Sequence, residues 1–207
     1  MKIFRMLWFV LLCCPVAAFA TTPVILVMGD SLSAAYGIDT RDGWVQLLQQ
    51  RLQQQGYPHT VVNASVSGET TAGGRTRLPP LLARHRPALM ILELGPNDGL
   101  RGLPLTQARA NLAAMIVDAR PAKVLLLGNH IPPNYGPEYT KRFHGLFPDL
   151  AKAHRISLVP FMLAGVATRA DWMQADGLHP RASAQLRVLD NVWVVLKPML
   201  AAPSTRP

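Results

Sequence analysis

A serine and an acid–histidine pair are the residues of this chain whose types and spacing suggest covalent catalysis. Ser31 follows an apolar run within the sequence Gly-Asp-Ser-Leu-Ser, where a short turn can hold its hydroxyl at a sheet edge as a nucleophile. Asp176 and His179 lie on either side of Gly177, and a tight turn there can aim the carboxylate at one ring nitrogen and leave the other free. Taken alone, Ser31 and Asp176 are also typical helix caps.

Two further positions are candidates for stabilising an oxyanion. Gly68 and Asn97 each follow an apolar run, and a glycine N–H and an asparagine NH₂ are suitable hydrogen-bond donors. Each is also an ordinary turn residue. The sequence contains neither the H-E-x-x-H zinc pattern nor a glycine-rich phosphate-binding loop. We therefore expect no metal and no nucleotide cofactor.

Five short apolar runs alternate with helix-like segments along the chain. Such runs are typical of buried parallel strands, and the segments between them carry apolar residues at helical spacing. The runs are 24–28, 60–64, 88–94, 123–128 and 156–161, and the helical segments are 43–55, 71–85, 105–119, 137–154 and 181–200. This alternation predicts an α/β fold, a three-layer α/β/α sandwich of about five parallel strands. Its active site should lie at the carboxyl ends of the strands, where Ser31, Gly68 and Asn97 occur.

The first 20 residues have the features of a secretory signal peptide. Lys2 and Arg5 precede an apolar run that ends in Ala18-Phe19-Ala20, and both cysteines, Cys13 and Cys14, lie within this segment. We therefore expect a mature chain of residues 21–207 that forms one domain without a thiol. Loss of the segment lowers the formal net charge from +9 to +7. Secretion argues against nucleic-acid binding, and the dispersed positive charges favour a solvated basic surface over a specific patch. Transient contact with lipid surfaces stays open on the basis of the net charge.

Taken together, the order Ser31, Gly68, Asn97 and Asp-x-x-His resembles the SGNH (GDSL) hydrolase superfamily. The resemblance spans nearly the whole mature chain and is carried by residues 29–37, 62–65, 97–102, 133–136 and 172–180. It implies a flavodoxin-like sheet without a cofactor, with Ser31 as nucleophile, His179 as general base and acid, and Asp176 as the orienting carboxylate. It also implies an oxyanion hole made by the N–H groups of Ser31 and Gly68 and by the Asn97 amide. Family members hydrolyse acyl-CoA thioesters, lysophospholipids and simple esters in the periplasm, so we expect a monomeric periplasmic enzyme with small acyl ester or thioester substrates.

One position departs from the pattern of the superfamily. Members usually have Gly-Gly before the asparagine, whereas this chain has Gly95-Pro96. If the second glycine requires a positive φ, the proline would displace the loop that carries Asn97. Two alternatives therefore stay open beside the thioesterase and esterase: a short-chain acetylesterase acting on carbohydrate or aryl esters, and a catalytically impaired acyl-binding protein.

An apolar groove for the acyl chain should lie beside the catalytic loops. Five residues that follow the third and fourth predicted strands are candidates for its lining: Leu100, Leu103, Ile131, Pro132 and Tyr135. Ordinary loop packing explains these residues equally well.

Overall fold

The computed structural model describes residues 22–202. The predicted signal peptide at residues 1–20, with Cys13 and Cys14, lies outside the described residues. Across residues 22–202, no helix combines the length and the apolar composition that a membrane crossing needs.

Five parallel strands form a sheet in the order β2-β1-β3-β4-β5. The strands are β1 Val24–Gly29, β2 Thr60–Asn63, β3 Leu89–Glu93, β4 Lys123–Leu127 and β5 Ser157–Val159. Because all five run in the same direction, their carboxyl ends meet at one edge of the sheet. The predicted α/β architecture with about five parallel strands is confirmed.

Helices cover both faces of the sheet. They are α1 Trp44–Gln54, α2 Thr71–His85, α3 Pro96–Leu100, α4 Leu105–Asp118, α5 Pro137–His154 and α6 Gln185–Leu196. Helices α1 and α6 contribute to the core on one face, and α2, α4 and α5 contribute to the core on the other. The sheet and the helices on its two faces therefore form a three-layer α/β/α sandwich.

The side chains of β1 show why the strands read as continuous apolar runs. Ile25 and Val27 belong to one core, whereas Leu26 and Met28 belong to the other. Alternate residues of a strand point to opposite faces, so a strand that is covered on both sides has no polar face. All four side chains are fully buried.

The helices differ from the sequence prediction at two places. The short helix α3, which carries Asn97, was not predicted. The last helix spans Gln185–Leu196 and not residues 181–200, because 3₁₀ turns occupy residues 182–184 and 197–199. The Gln185 side chain accepts a hydrogen bond from the Trp44 N–H at 3.0 Å and so ties the start of α6 to the start of α1.

Candidate active site

Ser31 lies in the turn that directly follows strand β1. The Ala34 N–H donates to the Asp30 carbonyl at 2.9 Å, which closes this turn at the carboxyl edge of the sheet. Ser31 Oγ lies 2.8 Å from His179 Nε2. At that distance the ring can take the hydroxyl proton as the oxygen attacks a carbonyl carbon.

The loop between Asp176 and His179 sets the orientation of the imidazole. Gly177 has a φ of 67°, which allows the chain to turn back on itself. Asp176 Oδ1 accepts the N–H groups of Leu178 at 2.9 Å and His179 at 3.0 Å, and Oδ2 lies 2.7 Å from His179 Nδ1. An ionised carboxylate only accepts, so Nδ1 carries the proton and Nε2 is left free to accept from Ser31.

The electrostatics of Asp176 suit this arrangement. Burial raises the pKa of Asp176, but hydrogen bonds from the His179 ring and from the Leu178 and His179 amides outweigh burial and lower the pKa to about 2. The carboxylate is therefore ionised throughout the neutral range and can stabilise an imidazolium at His179. The Tyr36 ring packs against the imidazole with a centroid distance of 4.6 Å.

Gly68 and Asn97 are placed beside Ser31 by separate connections. Gly68 follows strand β2 with a φ of 77°, and its carbonyl accepts a hydrogen bond from Arg101 Nη2 at 2.9 Å. Asn97 is the second residue of α3, directly after strand β3, and its Nδ2 donates to Asp30 Oδ2 at 3.0 Å. Both residues line the same cavity as Ser31. The arrangement therefore offers a backbone N–H and a side-chain amide close to the nucleophile.

The Gly95-Pro96 sequence is compatible with this position of Asn97. Gly95 has the positive φ, 125°, while Pro96 occupies the first turn of helix α3. A proline at this place removes an N–H that has no partner within the helix, and its fixed φ suits helical geometry. The positive φ thus falls on the glycine that this chain retains.

A cavity of about 270 Å³ opens over Ser31 and His179. Asp30, Asn129 and His130 add polar groups to its wall. Much of the wall is apolar and consists of Leu32, Pro96, Leu100, Ile131, Pro132, Leu163 and Leu178. A pocket with an apolar wall and a few convergent polar groups is typical of a small-molecule site.

Comparison with known proteins shows the family of this chain. A model of the GDSL-like lipase/acylhydrolase family matches residues 27–186. The chain belongs to this family. The esterase TesA of Pseudomonas aeruginosa is 54% identical to it over 183 residues, which are 87% of this chain and 91% of that protein. The thioesterase 1/protease 1/lysophospholipase L1 of Escherichia coli K12 is 39% identical over 87% of this chain and 86% of its own length.

A solved structure agrees with this assignment. A crystal structure of TesA superposes with a TM-score of 0.84 at 55% identity, and the match covers 86% of this chain and 99% of that one. The chain is therefore an ester hydrolase built on the SGNH fold.

The cavity of this GDSL-like hydrolase contains three of the five predicted groove residues. Leu100, Ile131 and Pro132 line it, whereas Leu103 and Tyr135 do not. Both of these side chains are 38% exposed, and the Tyr135 hydroxyl donates to the Leu100 carbonyl at 2.9 Å. Tyr135 therefore supports the chain next to the cavity without forming its wall.

Several cavity residues were not predicted from the sequence. Leu163 comes from the segment after β5, His130 lies directly before Ile131, and Tyr36 lies five residues after the serine. Only their position after a strand or beside a catalytic block could have indicated them. Within the part of the chain that the structure describes, no group of three or more His, Cys, Asp or Glu is arranged to hold a metal ion.

Proposed function

We propose that Ser31, His179 and Asp176 catalyse hydrolysis of acyl esters and thioesters through an acyl-enzyme intermediate. One observation carries this proposal: a continuous chain of contacts links Ser31 Oγ to His179 Nε2 at 2.8 Å and His179 Nδ1 to Asp176 Oδ2 at 2.7 Å. Its serine end opens into the apolar cavity, so an acyl carbonyl bound there meets the nucleophile directly.

Acylation begins when Ser31 Oγ attacks the acyl carbon and His179 Nε2 takes the hydroxyl proton. The carbonyl oxygen becomes an oxyanion and accepts hydrogen bonds from the N–H groups of Ser31 and Gly68 and from the Asn97 amide. The bond from the acyl carbon to the leaving sulfur or oxygen then breaks, and His179 returns its proton to that atom. Asp176 stabilises the positive imidazole between these steps.

Deacylation repeats the sequence with water. His179 takes a proton from a water molecule as the water oxygen attacks the acyl carbon, and the bond from that carbon to Ser31 Oγ then breaks. Ser31 recovers its proton from His179, and the carboxylic acid leaves.

The acyl group that fits this site is longer than acetyl. The cavity of about 270 Å³ is lined by Leu100, Ile131 and Leu163 as well as by Ser31, and these side chains offer apolar contact that an acetyl group cannot fill. This lining supports a thioesterase and esterase over the short-chain acetylesterase. The position of Pro96 in the first turn of α3 removes the feature that had favoured an impaired acyl-binding protein.

A hydrolysis series on residues 21–207 tests the proposal. The substrates are p-nitrophenyl esters and acyl-CoA thioesters from short to long chains, and the variants are Ser31→Ala and Ser183→Ala. Ser31→Ala should lower kcat by at least about 10³-fold, because the nucleophile is lost. Ser183→Ala should leave kcat unchanged, since Ser183 is exposed and does not line the cavity.

Three outcomes would change the assignment. Cleavage of acetyl esters alone would support the acetylesterase. No cleavage by a folded protein would support the binding protein. Retained activity in Ser31→Ala would reject Ser31 as the nucleophile.

We propose in addition that exposed loops at the carboxyl edge of the sheet make transient contact with anionic lipid surfaces. Tyr36, Val66, Leu103 and Tyr135 are large apolar residues that are between 38% and 52% exposed and follow the carboxyl ends of strands. The formal charge of +7 on residues 21–207 would favour an anionic surface.

Binding to vesicles that contain phosphatidylglycerol measures this contact. We expect the bound fraction to fall with added salt, and to fall when Val66 and Leu103 are both replaced by serine. Val194→Ser is the matched control, because Val194 is 76% exposed but lies on helix α6 and not in a loop that follows the carboxyl end of a strand. Equal binding of all three proteins would reject the surface.

We also propose that the enzyme is exported to the periplasm and acts there as a monomer. The export signal rests on residues 1–20, which precede the described residues. Cell fractionation and light scattering of the purified enzyme test the two statements separately.

A further inference from the structure

Two carboxyl groups lie buried together beneath the catalytic serine. Asp30 and Glu93 are both 0% exposed, and neither takes part in a salt bridge among residues 22–202. Strands β1 and β3 are neighbours in a register that pairs Gly29 with Glu93. Glu93 Oε2 therefore accepts the Asp30 N–H at 3.2 Å, which brings the two acidic residues together in the core.

Glu93 is held in place from several directions. Its Oε2 accepts the Ser33 hydroxyl at 2.8 Å, and its Oε1 accepts Asn129 Nδ2 at 3.0 Å. Every one of these donors is neutral, so none offsets a second negative charge. Two buried carboxyl groups that are neighbours and meet only neutral donors do not both ionise readily, so one of them keeps its proton.

The distribution of charge within the pair follows from burial. Burial and the neighbouring Asp30 raise the pKa of Glu93 well above its ordinary range. Burial also raises the pKa of Asp30, to about 6, while hydrogen bonds and the charge of His179 oppose this rise. Near neutral pH the pair therefore carries one negative charge on Asp30 and one proton on Glu93.

The anionic Asp30 has a direct contact with the oxyanion donor. Asp30 Oδ2 accepts Asn97 Nδ2 at 3.0 Å, and Asp30 Oδ1 accepts the Leu32 N–H at 3.0 Å. An ionised carboxylate only accepts, so Asn97 must present its NH₂ group and not its carbonyl oxygen to Asp30. One N–H of that group is used by Asp30, and the other is available to a substrate oxygen.

We propose that Asp30 is a positioning residue that holds Asn97 in the orientation the oxyanion requires, with Glu93 as its buried, neutral neighbour. The inference rests on the proposed role of Asn97 in ester hydrolysis. Asp30 does not touch the reacting atoms in this arrangement. It acts by excluding the rotated form of the Asn97 amide, in which a carbonyl oxygen would face the developing negative charge.

A double-mutant cycle between Asp30→Asn and Asn97→Ala tests the positioning role. An asparagine at position 30 has only one side-chain oxygen, which the Leu32 N–H claims, so its own NH₂ group faces Asn97 and forces the Asn97 amide to rotate. We expect each single variant to lower kcat by about 10²–10³-fold on a p-nitrophenyl ester. KM should change little, because the lost interaction forms only in the transition state.

The double variant decides between positioning and an unrelated structural effect. If Asp30 acts through Asn97, Asp30→Asn adds no further loss in the Asn97→Ala background. Losses that multiply, or a kcat within twofold of wild type in Asp30→Asn, overturn the proposal. Asp39→Asn is the matched control and should keep full activity, because Asp39 is exposed, its carboxylate pairs with Arg41, and it does not line the cavity. Ser31→Ala is measured in parallel, and activity that survives in it identifies a failure of the proposed function instead.

Infrared spectroscopy tests whether Glu93 carries a proton, independently of any activity measurement. Circular dichroism and Tm show first whether each variant is folded. Wild type at neutral pH should show the carbonyl absorption of a protonated carboxyl group, and Glu93→Gln should remove it. The absence of this absorption in wild type overturns the proposal, even if Asp30→Asn does not fold.

Discussion

Replacement of Asp176 by asparagine should keep the shape of the catalytic loop but move the ring proton of His179 from Nδ1 to Nε2. Asp176 Oδ1 accepts the N–H groups of Leu178 and His179, and an asparagine oxygen satisfies both of them in the same place. The asparagine NH₂ must then face His179 Nδ1. Because that nitrogen now has to accept, the ring proton moves to Nε2, which can no longer take a proton from Ser31.

The expected loss is therefore large although little structure changes. A serine hydrolase whose imidazole is held in the wrong tautomer loses about 10⁴-fold in kcat. No other hydrogen-bond partner of His179 Nδ1 occurs among residues 22–202, so nothing described restores the correct tautomer. Initial rates with a p-nitrophenyl ester at saturating concentration measure kcat, and circular dichroism verifies the fold.

Asp171→Asn is the matched control for this prediction. Asp171 is another loop aspartate, is 64% exposed and pairs with Arg169 at 2.8 Å, away from the cavity. Its replacement should leave kcat unchanged. A kcat for Asp176→Asn within tenfold of wild type would refute the tautomer argument and would indicate that His179 is oriented by another group.

Acid stability, acyl-chain preference and the turn at Gly95 provide three further tests. The pKa of Asp176 is lowered from 3.8 to about 2, so its carboxylate stabilises the fold above about pH 4 and this contribution is lost as the pH falls through about 2. Urea titrations measure the free energy of unfolding of wild type and of Asp176→Asn, and the difference between the two should shrink as the pH falls from about 4 to about 2. Leu163→Ala should raise kcat/KM for longer acyl chains relative to shorter ones because Leu163 lines the cavity, whereas Leu103→Ala should not. The same dependence of kcat/KM on chain length in both variants would contradict the role of Leu163 in the cavity wall. Gly95→Ala should lower the free energy of unfolding by about 1–3 kcal/mol, because φ at Gly95 is 125° and a Cβ there would lie 3.3 Å from Phe147 Cζ. An unchanged Tm would show that the turn tolerates a side chain.

Secondary structure was largely predictable because it follows from local patterns. Helices α2 and α5 begin and end at the predicted residues; strands β2 to β5 lie within their predicted apolar runs, and β1 extends one residue beyond its run, to Gly29. Helix α3 was missed because Pro96 and Gly99 are typical of turns, and only its place between β3 and α4 makes five residues helical. The prediction of a displaced Asn97 depended on which residue has the positive φ, and the structure assigns it to Gly95.

The buried carboxyl pair had no signal in the sequence. Glu93 lies in an apolar run and was read as part of a strand, and Asp30 was read as part of a turn. The two are 63 positions apart, and their contact depends on the register between β1 and β3. A strand register is decided by long-range packing, which a pattern within one segment does not contain.

The sequence by itself determined the strands, the order of the chemical groups and the edge of the sheet at which they gather. This was possible because apolar periodicity is local, and because parallel strands bring the residues that follow them to one edge. Only the tertiary structure decided which neighbours meet there: Leu163 and Tyr36 line the cavity, whereas Leu103 and Tyr135 do not. Loops of similar composition differ in where their side chains lie, because their paths depend on strand order and on the packing of helices around the sheet.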